Sequence, residues 1–92
     1  MMTPEEMTAL SERVRAFLDA HQVEHIITLH ASGYQPYVHL RDEDFARVFR
    51  GQEVRVTTDR GYDTLRGAGD GFDVIALRPM PMVLAPRVEV MP

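Results

Sequence analysis

Apolar residues recur every three or four positions over the first twenty residues, and every second position after that. Met7, Leu10, Val14, Phe17 and Leu18 form one helical stripe, with Glu12, Arg13, Arg15 and Asp19 away from it. Thr3-Pro4-Glu5-Glu6 opens this run as a capping box with proline at the first helical position. The Thr3 hydroxyl can accept from the Glu6 amide, Glu6 can reach back, and both glutamates sit at the positive end of the helix dipole. The spacing predicts a helix from Pro4 to near His21.

Alternation then takes over. VEHIITLH (23–30) and PYVHL (36–40) read as two strands joined by ASGYQ, where Gly33 is free to adopt a positive φ angle. A two-residue loop pairs Ile27 with Val38, and a four-residue loop pairs Leu29 with Val38. Either register places Ile27, Leu29, Val38 and Leu40 on one face and Ile26, Thr28, His30, Tyr37 and His39 on the other. RDEDFARVFRG (41–51) predicts a second helix. Asp42, Glu43 and Asp44 lie in its first turn, Phe45, Val48 and Phe49 form its apolar face, and Gly51 ends it. EVRVTT (53–58) alternates with Val54 and Val56 inward. DRG turns the chain into a weaker strand, YDTLR (62–66).

GAGDG (67–71) has the look of a phosphate cradle. Such a cradle needs a helix behind it, whose free amides meet the phosphate. Here the strand pattern FDVIAL (72–77) follows, so the sequence predicts a hairpin with Asp70-Gly71 as its two central residues, both at positive φ. The segment 78–92 carries four prolines and excludes a helix. Its RVEV is open to three readings: an edge strand, an arm over a neighbouring subunit, or a disordered stretch.

These elements predict an α+β fold in the order α-β-β-α-β-β-β. One mainly antiparallel sheet carries both helices on one face. The expected organisation is a single domain over 1–78 and a proline-rich tail over 79–92. The step from the second strand to the third is just long enough for a parallel crossover, which leaves the strand order open.

Composition narrows function mainly by exclusion. Ninety-two residues suit one core without a deep cleft. Cysteine is absent, so disulfides, thiolate nucleophiles and thiolate-bound zinc are excluded. All the basic residues are arginine, so neither a Schiff-base nor a P-loop lysine is available. A net charge of −4 argues against a nucleic-acid binder. No apolar run nears the roughly 20 residues of a membrane span. The acidic start MMTPEEM is not a signal peptide, and cytoplasmic residence is the expectation.

Catalytic and metal readings find little support. With the four-residue loop, His30 and His39 are diagonal neighbours about 7 Å apart, but spacing fixes no third ligand. Ser11 and Ser32 lack an oriented base and acid. The helix dipole accounts for Asp42-Glu43-Asp44. No enzyme activity, cofactor or metal is expected.

PYVHLRDEDFARVFRGQEVRV followed by GFDVIAL resembles a group of small proteins of phage and mobile-element genomes. The resemblance covers residues 36–77 and rests on fold motifs. These are a strand ending in Val-His-Leu, an acidic helix start, Phe45-Ala46-Arg47-Val48-Phe49 closing on Gly51, and a hairpin into an apolar strand. Arg41 or Asp42 stands where such sequences often have a helix-start serine. The resemblance implies an accessory factor acting on host machinery, such as an inhibitor or anti-defence protein.

The face carrying Ile26, Thr28, His30, Tyr37 and His39, with Tyr34 in the adjoining loop, is the expected partner-binding surface. Its aromatic residues and its lack of lysine resemble the centre of an interface. The expected function is therefore a small non-catalytic protein-binding module. The rival expectation is a small-molecule-binding homodimer, with its pocket at the subunit interface and the tail as a lid.

Overall fold

The computed structural model describes residues 2–31, 35–79 and 85–92. Helix α1 spans Pro4–Ala20. The Thr3 side chain accepts from the Glu6 N–H at 3.1 Å, and its hydroxyl donates to the Glu6 carboxylate at 3.2 Å. The helix ends in a Schellman-type cap. Gln22 takes φ 56°, and the Val23 N–H donates to the Leu18 carbonyl. Arg47 of the second helix donates to the carbonyls of His21 and Gln22, tying the two helices together. Of the expected stripe, Leu10 and Val14 are buried and Phe17 and Leu18 partly so, whereas Met7 is exposed.

Strands β1 (Thr28–His30) and β2 (Tyr37–His39) form the expected hairpin in the four-residue-loop register, with Leu29 opposite Val38 and His30 opposite Tyr37. β1 is much shorter than the alternation over 23–30 predicts. Val23, just past the helix cap, takes a core position, and Ile27 is 55% exposed instead of facing inward. The chain joins the sheet edge at the Ile27 N–H, which donates to the His39 carbonyl at 2.8 Å, and upstream of it no partner strand among the described residues reads the pattern.

Helix α2 spans Asp42–Val48, with Phe45 and Val48 buried. Arg41 is its N-cap and makes no side-chain cap bond. The Asp42 carboxylate accepts from the Glu43 N–H at 2.9 Å instead. Strands β3 (Glu53–Asp59) and β4 (Tyr62–Ala68) are joined at Arg60 and Gly61, with φ 53° and 83°. These are the values of a type I′ turn. Strand β5 (Asp73–Pro79) follows the Asp70-Gly71 turn. Only Gly71, at φ 78°, lies in the left-handed region, so the expectation of two positive φ angles fails. The Gly69 N–H donates to the Phe72 carbonyl, and Arg13 Nε of α1 donates to the Asp70 carbonyl. The glycine-rich stretch is thus a hairpin held down by a helix. Gly67 serves packing instead. A Cβ there would lie 2.5 Å from the Phe49 ring, so glycine lets the ring lie directly on β4.

A further strand, β6 (Arg87–Val90), adds to the expected five. It pairs antiparallel with β3, which is the edge-strand reading of RVEV. The sheet runs β1-β2-β5-β4-β3-β6. All neighbours are antiparallel except β2 and β5. β2 and β3 therefore point the same way with β5 and β4 between them, and α2 makes the crossover. Both helices pack on one face. Leu10, Val14, Phe45, Val48 and Phe49 meet Val38, Val54, Val56, Leu65, Val74 and Ala76 in one core. No helix among the described residues is long and apolar enough to cross a membrane.

Candidate functional site

The face of the sheet turned away from the helices follows from the register. Thr28, His39, Ile75, Arg66, Arg55 and Val88 form one cross-strand row, and His30, Tyr37 and Asp73 form the next. Leu77 opposes Thr64, and Tyr62 opposes Pro79. Large apolar side chains stand open on this face: Leu77 is 42% exposed, Tyr62 50%, Val88 59% and Val90 62%. Ile75 lies on it too, buried between His39 and Arg66 in its row.

Polar groups anchor the same face. The His30 and Tyr37 rings stack with centroids 4.9 Å apart. The Asp73 carboxylate accepts from Arg66 at 2.7 Å and from the Gln35 amide at 3.4 Å. Burial pushes the His39 imidazole below its ordinary pKa by penalising the charged form. Among the described residues, no three histidine or carboxylate side chains are grouped to hold a metal ion.

Four of the expected partner-binding residues, Thr28, His30, Tyr37 and His39, are gathered on this face. Ile26 is exposed just ahead of β1, outside the paired strand. Tyr34 lies outside the described residues. The sequence reading stopped at the hairpin and so missed Tyr62, Arg66, Ile75, Leu77, Val88 and Val90. Ile75 and Leu77 belong to an unbroken apolar run, where periodicity gives no face. The register across β5 is what assigns them.

A second polar cluster lies on the helix side, at the corner formed by β3, β4, β5 and β6. Asp63 has no exposed surface. Its carboxylate accepts from Arg78 at 2.7 Å, from Arg87 at 3.0 Å and from the Thr58 hydroxyl. Arg78 and Arg87 also hold Glu89, at 2.7 and 2.9 Å. Burial alone would raise the Asp63 carboxyl, but the bonds from Thr58, Arg78 and Arg87 outweigh it and hold the group below the usual carboxylate range. The Arg78 hydrogen bond likewise holds Glu89 low, and Glu89 and Asp63 hold Arg78 high. Two cations and two anions close on one another here. Among the described residues, only Arg78 Nε is a side-chain polar atom buried without a hydrogen-bond partner.

A groove of about 300 Å³ runs beside this corner, between the first turn of α2 and Arg78, Met91 and Pro92. A wider depression of about 680 Å³ lies at the end of α1, against Leu18, Asp19 and Gln22. Among the described residues, neither is lined by a histidine, serine or threonine. No family model matches this sequence, and no curated protein or solved structure matches it.

Proposed function

We propose that the protein is a non-catalytic protein-binding module that docks its partner on the helix-free face of the sheet. The observation behind this reading is two groups of exposed apolar side chains, Tyr62 with Leu77 and Val88 with Val90, on the face that also carries Tyr37 and His39. Exposed apolar side chains set among arginines and threonines, with the closed Arg66–Asp73 pair between them, have the mixed composition of a protein interface. Tyr37 and Tyr62 supply aromatic side chains of the kind enriched at interface anchors. The narrower form, an accessory factor or inhibitor of a host protein, rests on the resemblance of residues 36–77 alone.

The test is capture of partners from a host lysate by the tagged protein, beside a Tyr37→Ala/His39→Ala double variant. The expected result is one stoichiometric partner on the wild type, absent from a double variant that keeps its circular dichroism and cooperative melt. A partner retained equally by the folded double variant would move the contact off this face.

A further inference from the structure

The free edge of β6 is built to pair with itself. The Met91 N–H donates to the Gln52 carbonyl at 3.0 Å, and the Met91 carbonyl accepts from the Gly51 N–H at 2.8 Å. Met91 therefore turns its backbone toward the β3 side. Backbone groups alternate sides along an antiparallel strand. Glu89 and Arg87, opposite Val54 and Val56, thus also turn theirs toward β3. The N–H and C=O groups of Val88 and Val90 point to the outer edge, where no strand among the described residues follows in the sheet. Such an edge is a template for another strand unless something covers it. The opposite edge, β1, is only three residues long.

The side chains favour a copy of the same strand. Arg87 and Glu89 flank Val88 symmetrically. Antiparallel pairing about a twofold axis at Val88 sets each Arg87 opposite the second copy's Glu89, on the helix side. It also sets the exposed Val88 side chains together on the open face. The alternative register, centred one residue later, would set Glu89 against Glu89, and like charges directly opposite repel. In the Val88-centred register the two Val88 residues exchange both of their hydrogen bonds. Each Val90 N–H then meets the second copy's Pro86 carbonyl, so the missing proline N–H leaves only the Val90 carbonyls without a strand donor.

We propose that two copies of this chain associate through antiparallel β6–β6 pairing centred on Val88, joining their sheets into one continuous sheet. The inference is independent of the partner-binding reading. It would nonetheless give any partner two neighbouring open faces, related by the twofold axis. Pairing strands this short buries little area, below the roughly 1,200 Å² at which interfaces become stable, so the dimer is weak and concentration-dependent.

The test is sedimentation equilibrium of the full chain from about 1 µM to about 1 mM, a range that brackets weak association constants. The wild type is expected to pass from monomer to dimer. Val88→Lys and Val88→Glu each set like charges opposite across the axis and should weaken dimerisation about tenfold or more. An equimolar mixture of the two variants sets lysine opposite glutamate and should dimerise more tightly than either alone. Val88 is 59% exposed, so both variants are expected to fold, which a thermal melt verifies. A wild type that stays monomeric throughout overturns the inference, whatever the variants do. A dimer that Val88→Lys leaves unchanged, or a mixture no tighter than its components, overturns the pairing about Val88.

Discussion

The corner around Asp63 and the open face both mix charge with apolar surface, yet they differ in what they leave available. At the corner, two arginines, two carboxylates and the Thr58 hydroxyl bond mainly to one another, with Arg78 Nε left over. The network stitches β6 to β3, β4 and β5. On the open face, the Arg66–Asp73 pair is closed, but Tyr62, Leu77, Val88 and Val90 remain in water without an intramolecular neighbour layer. Charge density and open surface therefore fall in different places in this protein. The densest ionic cluster is a clasp for the last strand, and the sparser face has the unspent surface.

Removing the centre of the clasp gives the largest expected effect. Asp63→Ala leaves Arg78 and Arg87 sharing only Glu89, with one buried anion of the cluster gone. Breaking a buried ion pair by deleting one partner costs about 3–5 kcal/mol; the arginines here keep about a third of their surface in water, so about 2–3 kcal/mol is expected. Urea titration should show this as a lower midpoint with little change in slope. A loss below about 0.5 kcal/mol, the level of an ordinary surface site, would make the corner no different from the open face.

Acid should unfasten the same clasp in the wild type. Asp63 and Glu89 both have depressed carboxyl pKa values in the folded protein. Their contribution is complete above the unfolded values, near 4 for both residue types, and is lost as pH falls through the folded ones. Stability measured by urea titration should lose little down to about pH 5 and then drop steeply. In Asp63→Ala that drop should be shallower. An equal drop in both would assign acid sensitivity to other carboxylates.

The clasp also shows where the sequence was legible and where it was not. Helix α1, the β1–β2 register as one of two options and the Arg60-Gly61 turn follow from local chemistry and are present, whereas the second helix stops at Val48, ahead of the left-handed Gly51 expected to end it. Alternation misleads at RVEV, where Val88 and Val90 are the residues a pattern would turn toward a core. They face the open side, and Arg87 and Glu89 face the helix side, because the register to β3 sets their parity. YDTLR carried a signal in its conflict: strand geometry places Asp63 and Leu65 on one face, so either a charge is buried or a leucine exposed. The partner that decides is Arg78, fifteen positions on, and nothing local points to it. The open face was half legible for the same reason. The hairpin supplied Thr28, His30, Tyr37 and His39, whereas Ile75 and Leu77 join them only through the parallel pairing of β2 with β5.

The smallest expected effect belongs to the open face, and its sign ties stability to binding. Burial holds the His39 imidazole below its ordinary pKa, so the folded protein disfavours the proton that the unfolded chain accepts below about pH 6.5. Stability from this group is present above that value and is lost as pH falls through the folded pKa. The shift is modest, and His39→Gln should remove it, flattening a shallow slope in the midpoint of urea unfolding that lies well above the acid loss from Asp63 and Glu89. A partner seated over His39 would strip more water from the ring and lower its pKa further, so affinity should weaken as pH falls from about 7.5 to about 5.5. The same titration with His39→Gln should be flat. A wild-type affinity that does not change over this range, or one that strengthens on the acid side, would place His39 outside the contact and shift the docking surface toward Leu77, Val88 and Val90.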